Sequence, residues 1–129
     1  QLKGFVPVIV HPERNQEIIE NPEVLYQLVK KGALTQVTAS SVTGHFGKTI
    51  KKFTHQLLEA NLTHFIASDA HNTTSRGFKM DEAYGTVEKL FGIDFVHMLR
   101  ENSELILTGK SAYKETPLRV KRKKILGLF

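Results

Sequence analysis

Residues 65–76, FIASDAHNTTSR, decide how the chain is read. A short apolar run ends abruptly in Asp69 and His71, and a polar loop follows. That is the form of a buried strand whose carboxyl end carries chemistry. On extended backbone two residues apart, the aspartate and the histidine point to the same side, because side chains alternate faces with period two. A carboxylate and an imidazole that enter one site make a metal-binding pair. The competing reading of an isolated D-x-H is a capping aspartate beside a surface histidine.

A second ending of the same kind lies upstream, where residues 6–10 (VPVIV) run into His11, Pro12, Glu13 and Arg14. A short valine-rich run suits a buried parallel strand better than a helix. Pro7 cannot donate to a ladder, so it belongs near the strand start or on an edge. Pro12 keeps His11 away from helical angles and holds it at the strand's end. Residues 34–40 (LTQVTAS) form a third strand, rich in β-branched residues, that opens into a small polar loop, Ser40 to Gly44.

Helical patterns alternate with these strands. Asn21 caps a helix that opens with Pro22 and Glu23, buries Val24, Leu25, Leu28 and Val29, and stops at Lys30, Lys31 and Gly32. A second runs over 48–60, with Ile50, Phe53, Leu57 and Leu58 at helical spacing and Asn61 as its terminal cap. After a loop over 72–79, Met80, Ala83, Tyr84, Val87 and Leu90 mark a third that ends at Gly92. Asp94 and Ser103 each cap a short further helix.

Strand–helix alternation at this spacing predicts an α/β fold of parallel strands joined by crossover helices. In such folds ligands bind at the carboxyl ends of the strands. Those ends read HPER, SSVTG and SDAHN, so all three polar clusters fall where the fold places a site. Three parallel strands alone leave two open edges. The opening Gln1 to Gly4 reads like the end of an earlier element, and further strands before Gln1 are expected.

Arg14 and Arg76 follow His11 and His71 closely enough to face the same mouth, and a guanidinium is a natural clamp for a phosphate. The alternative partners are Glu13 or Glu17 for Arg14, and Asp81 or Glu82 for Arg76. Glu13 is expected to orient His11 or Arg14. His45 either touches substrate or is a solvated loop residue. His55, His64 and His97 are taken as structural or exposed.

Composition narrows the function. The chain has 129 residues, 40% of them hydrophobic, enough for one domain with a core. The formal charge is +5 from 18 basic and 13 acidic residues, but Arg119, Lys121, Arg122, Lys123 and Lys124 account for the excess. The body is neutral, which argues against a nucleic-acid face. The basic tail, 117–129, has the composition of a phosphate or anionic-membrane patch, against the simpler reading of a solvated face. The absence of cysteine excludes disulfides, thiolate chemistry and cysteine-ligated zinc. No apolar run approaches the roughly 20 residues of a membrane span, and a cytoplasmic protein is expected. Two glycosylation-type triplets, at Asn61 and Asn72, are discounted because nothing else suggests secretion.

Taken together, HPER after a valine-rich strand, SSVTGHFGK, HFIASDAHNTTSR and DEAYGTVEKLFG resemble the later half of the PHP-type tyrosine phosphatases of bacterial capsule and exopolysaccharide systems. The resemblance covers Val6 to about Gly109. It implies that residues 1–129 are the C-terminal portion of one PHP domain, part of a distorted (β/α)7 TIM-like barrel. It also implies up to three divalent metal ions in the complete domain, commonly Mn2+, and hydrolysis of phosphotyrosine on a bacterial tyrosine kinase or its targets through a metal-activated water. On that pattern His11, Asp69 and His71 are metal ligands, while Arg14 and Arg76 contact the phosphate.

The family's opening H-x-H motif and the glutamate and histidine ligands that follow it are absent. Hard cations take about six donors each, so the segment in isolation is expected to be inactive. Other PHP phosphoesterases, histidinol-phosphatase-like or nuclease, remain as alternatives. So does a metal-binding module without catalysis that docks through its basic tail.

Overall fold

The computed structural model describes residues 6–68 and 76–121, with side chains of the last helices described from residue 79 onward. Three parallel strands, β1 (Val8–Val10), β2 (Leu34–Thr38) and β3 (Phe65–Ala67), form a sheet in the order β1-β2-β3. Val8 pairs with Leu34 and Val10 with Gln36, while Gln36 pairs with Phe65 and Thr38 with Ala67. All three strands therefore end at the same edge of the sheet.

The connections are mostly helical. A 3-10 turn (Pro12–Arg14), α1 (Gln16–Glu20) and α2 (Glu23–Lys30) link β1 to β2. Then α3 (Ala39–Thr43) and α4 (Lys48–Glu59) link β2 to β3, and α5 (Arg76–Phe91) and α6 (Ile93–Leu107) follow. Leu34, Thr35, Val37 and Thr38 are all buried, so β2 is covered on both faces. Its Val37 joins one core with Leu25 and Val29 of α2, Phe53, Leu57 and Leu58 of α4, Ala83 and Val87 of α5, and Leu99 of α6. Leu57 is fully enclosed, and its truncation to alanine costs about 2–5 kcal/mol.

Several expectations need correction. β1 is not buried: Val8 and Val10 are 40% and 51% exposed, because β1 is the outer strand and among the described residues only β2 pairs with it. The strand at 34–40 ends at Thr38, and its small polar continuation is helix α3, not a loop. Serines and threonines favour loops only when their hydroxyls bond locally to non-helical backbone. Here Thr43 instead bonds back to Ala39 O inside the helix.

Asn21 does not cap α2, whose N-cap position is Pro22. The side-chain cap falls to Asn15, whose Oδ1 accepts Ile18 N–H at 3.0 Å and starts the unexpected α1. α5 begins at Arg76, inside the expected 72–79 loop. The two short helices are one, α6, because Ser103 donates back to Leu99 O at 3.3 Å and so does not interrupt it. Other signals fit. Gly32 takes φ 110° after α2, and Asn61 takes φ 60° after α4.

The segment after α6 is bound to the body. Asn102, fully buried, donates to His64 O at 2.8 Å and to Tyr113 O at 3.1 Å, and accepts Tyr113 N–H at 2.7 Å. Leu118 N–H reaches Ala60 O at 2.8 Å. Arg119 grips both carboxylate oxygens of Glu23, at 2.9 and 3.2 Å, and lies 4.5 Å from the Tyr26 ring centre. That guanidinium holds the Glu23 carboxyl below the usual carboxylate range. Arg119 is thus engaged by the body and is not part of a free basic patch. Lys121 is exposed, and Arg122, Lys123 and Lys124 lie outside the described residues.

Candidate functional site

The carboxyl end of β1 is an overdetermined turn. His11 has φ 37° and ψ 58°, left-handed angles that cost a non-glycine residue about 1–2 kcal/mol. Pro12 disfavours the right-handed helical region there, and a network of bonds holds the left-handed turn in place of the extended angles that usually precede a proline. His11 N–H donates to Gln36 O at 2.8 Å, Arg14 N–H to His11 O at 3.0 Å and Asn15 N–H to Pro12 O at 3.1 Å. Strained backbone held by this much restraint is concentrated at functional sites, which makes His11 a candidate site residue.

Glu13 ties that turn to the end of β2. The residue is completely buried, and its Oε2 accepts Thr38 N–H at 2.9 Å. The bond from Glu13 goes to β2, and among the described residues its carboxylate has no hydrogen bond to His11 or Arg14. Its Oε1 is buried without a hydrogen-bond partner among the described residues, as is Ser41 Oγ at the start of α3. These two atoms follow the carboxyl ends of β1 and β2, and among the described residues two more, Thr63 Oγ1 and His64 Nε2, lie before β3; each costs about 1–3 kcal/mol unless something pairs with it.

The remaining contacts gather the loops into one mouth. Arg14 lies with its guanidinium carbon 4.4 Å from the centre of the Phe46 ring, in the turn after α3. Among the described residues neither Glu13 nor Glu17 forms an ion pair with it. The same turn carries His45, whose Nε2 lies 3.3 Å from Glu82 Oε1 on α5. The loop after β1 thus touches the loop after β2, and the loop after β2 touches the helix after β3. His45 is exposed, as a loop histidine is expected to be, and Glu82 is its partner.

Of the five residues singled out from sequence, His11 and Arg14 stand at this mouth, exposed and adjacent. Asp69 and His71 lie outside the described residues. Arg76 is the first residue of α5, and its side chain is not described. Among the described residues no three metal-ligating side chains come together. Phe46 and Glu82 lie in the stretches SSVTGHFGK and DEAYGTVEKLFG, but Phe46 has no evident role in the sequence and Glu82 is expected there only as a partner for Arg76. The only signal for Phe46 was its place between two glycines and a histidine in TGHFG.

The excluded histidines are structural or exposed as expected. His55 Nε2 donates to Val42 O at 3.0 Å, and His97 is exposed. His64 is buried with its Nδ1 accepting Thr35 N–H at 2.9 Å. Burial, with a smaller contribution from Lys114, lowers its pKa to about 4, so the ring is neutral with its proton on Nε2.

The sequence profile described as capsular polysaccharide synthesis, CpsB/CapC, matches residues 1–108. The chain belongs to the CpsB/CapC family. Among its relatives, the tyrosine-protein phosphatase YwqE of Bacillus subtilis is 53% identical over 129 residues, which are 100% of this chain and 51% of YwqE. The tyrosine-protein phosphatase CpsB of Streptococcus pneumoniae is 35% identical over 94 residues, 69% of this chain and 39% of that protein. A solved structure from work on YwqE and CpsB, described as unique metal-dependent tyrosine phosphatases, superposes with a TM-score of 0.88 at 53% identity. It covers 95% of this chain and 49% of the solved one. This CpsB/CapC chain thus spans about half the length of YwqE. Its alternating strands and helices have the arrangement of that structure. Among the described residues no helix is long and apolar enough to cross a membrane.

Proposed function

We propose that this chain is the C-terminal portion of a PHP domain, a distorted (β/α)7 barrel, and that the full-length protein is a metal-dependent protein-tyrosine phosphatase of the bacterial cytoplasm. The observation that supports this best is the restrained His11–Arg14 turn. It sets an imidazole and a guanidinium at the shared mouth of a parallel sheet, in a chain 53% identical to a tyrosine-protein phosphatase.

His11, Asp69 and His71 are proposed as metal ligands. Two imidazoles and a carboxylate make a nitrogen–oxygen donor set that fits a divalent ion such as Mn2+, and the unsatisfied Glu13 Oε1 lies two residues from His11. Three ligands fill about half of one six-donor sphere, so a cluster of up to three ions takes its other donors from elsewhere in the full-length protein. Bound divalent ions supply Lewis acidity and a water nucleophile at neutral pH.

The chain's own residues do the rest. Arg14 and Arg76 bind the phosphoryl oxygens and neutralise the charge that spreads over them in the transition state, each well-placed donor worth about 3 kcal/mol. Phe46 holds the Arg14 guanidinium in place, and Glu13 locks the turn that carries both His11 and Arg14 to β2. Tyrosine's phenol, with a pKa of about 10, is a tolerable leaving group. The substrate is a phosphotyrosine protein, with a bacterial tyrosine kinase as the natural partner.

The substrate class is tested by offering the full-length protein with Mn2+ three substrates: a phosphotyrosine peptide, histidinol phosphate and single-stranded DNA. Phosphate release from the peptide at least tenfold faster than from the others supports this reading. Preference for histidinol phosphate or DNA replaces it with another PHP phosphoesterase.

A further inference from the structure

A groove of about 520 Å³ runs along α4. Lys48, Lys51, Lys52 and His55 line one side, and Leu90 and Phe91 at the end of α5 line the other. The α4 residues recur at helical spacing, so they form one continuous stripe on the helix. Among the described residues none of the three lysines forms an ion pair.

This stripe runs against what helix stability favours. Like charges three and four residues apart repel on a helix surface. The first turn of α4 holds no acidic residue, and cations there oppose the positive end of the helix dipole. A local arrangement that breaks two rules, with no carboxylate across the groove from the lysines, is the mark of a binding surface. The apolar side is equally unusual, since Leu90 is 51% exposed beside a half-buried Phe91.

The groove also begins beside the proposed phosphate site. Lys48 follows Phe46 by two residues, and Phe46 carries Arg14. We propose that the groove binds the acidic segment flanking the phosphotyrosine of the protein substrate. Carboxylates would meet Lys48, Lys51 and Lys52, and an apolar side chain would rest on Leu90 and Phe91. The stripe from Lys48 to Glu59 spans about 16 Å at 1.5 Å per helical residue, which an extended peptide of about five residues matches. Glu59 at the far end sets the limit of the acid-binding stretch. This inference rests on the phosphotyrosine-protein reading above.

The test compares the full-length protein with its Lys48→Gln/Lys51→Gln/Lys52→Gln variant. Affinity is measured by fluorescence anisotropy for an unphosphorylated peptide with four glutamates beside its tyrosine. Turnover is measured on phosphotyrosine peptides flanked by glutamate or by glutamine, and on p-nitrophenyl phosphate. Three screened charge contacts correspond to about a tenfold effect. The variant should lose about tenfold in affinity for the acidic peptide and in kcat/KM on its phosphorylated form, through KM. Turnover of the glutamine-flanked peptide and of the small aryl phosphate should be unchanged, which also shows that the variant folds.

Equal losses on both peptides, or no loss on either, would overturn the proposal. So would loss of binding to phosphatidylserine vesicles with peptide binding intact, which would make the stripe a membrane surface. Absence of any phosphatase turnover with the tenfold loss of peptide affinity still present would refute the phosphatase reading and leave the groove assignment standing.

Discussion

Replacing Glu13 tests the link between stability and the site. The carboxylate is completely buried and its Oε2 is the acceptor for Thr38 N–H at 2.9 Å. Glu13→Ala strands that buried N–H, which costs about 1–3 kcal/mol, and empties part of a packed site. Glu13→Gln keeps an acceptor oxygen in place and should cost less than half as much. The alanine variant also frees the turn that presents His11 and Arg14, and a misplacement of about 1 Å in such a group can cost about a hundredfold in rate. Urea unfolding of the full-length protein gives the stability change, and phosphate release from a phosphotyrosine peptide gives the rate. The expected result is a drop of about 2 kcal/mol for Glu13→Ala with a kcat loss far beyond its unfolded fraction, and partial rescue of both by glutamine. An alanine variant within 0.5 kcal/mol of wild type (the scale of an ordinary surface substitution) and fully active would show that the Glu13–Thr38 tie holds nothing.

Two further outcomes follow from the same geometry. His64 has a folded pKa of about 4 against an ordinary 6.5, so the unfolded chain binds its proton first. Stability from this group is complete above pH 6.5 and declines by about 3 kcal/mol as pH falls to 4; thermal unfolding from pH 7 to 4 should show that slope flattened in His64→Gln, and a ring titrating near 6.5 by NMR would contradict it. Phe46→Ala removes the face that supports Arg14, a contact worth about 0.5–1 kcal/mol, so KM for a phosphotyrosine peptide should rise about two- to fivefold; an unchanged KM would mean that Arg14 needs no support.

Much of this architecture was legible because alternating strand and helix patterns constrain one another. The runs at 34–40 and 62–68, and the helical stripe from Phe53 to Leu58, located β2, β3 and α4, although both strands are shorter than read, Leu34–Thr38 and Phe65–Ala67. The rule that sites lie at strand carboxyl ends then selected HPER, SSVTG and SDAHN, of which SSVTG lies mostly in helix α3 and SDAHN, from Asp69 on, falls outside the described residues. What escaped was set by tertiary context. Ser40 and Ser41 have loop-like character, yet both are buried at the start of α3, where packing overrides propensity. Ser103 looked like a cap but bonds to the preceding turn of α6. The burial of Glu13 and the stacking of Arg14 on Phe46 depend on contacts between loops that no local pattern encodes. Arg119, one of a basic run by composition, is fixed by Glu23, 96 residues earlier in the chain.

The central claim is that the strand ends form one metal-dependent phosphatase site. It is tested most directly by phosphate release from a phosphotyrosine peptide by the full-length protein, with and without a chelator, alongside Arg14→Ala and Asp69→Ala. The account predicts activity abolished by chelation, restored by Mn2+, reduced at least a hundredfold in both variants, with metal content lowered only by Asp69→Ala. Full activity in either variant, or no turnover by the metal-loaded wild type, would contradict it.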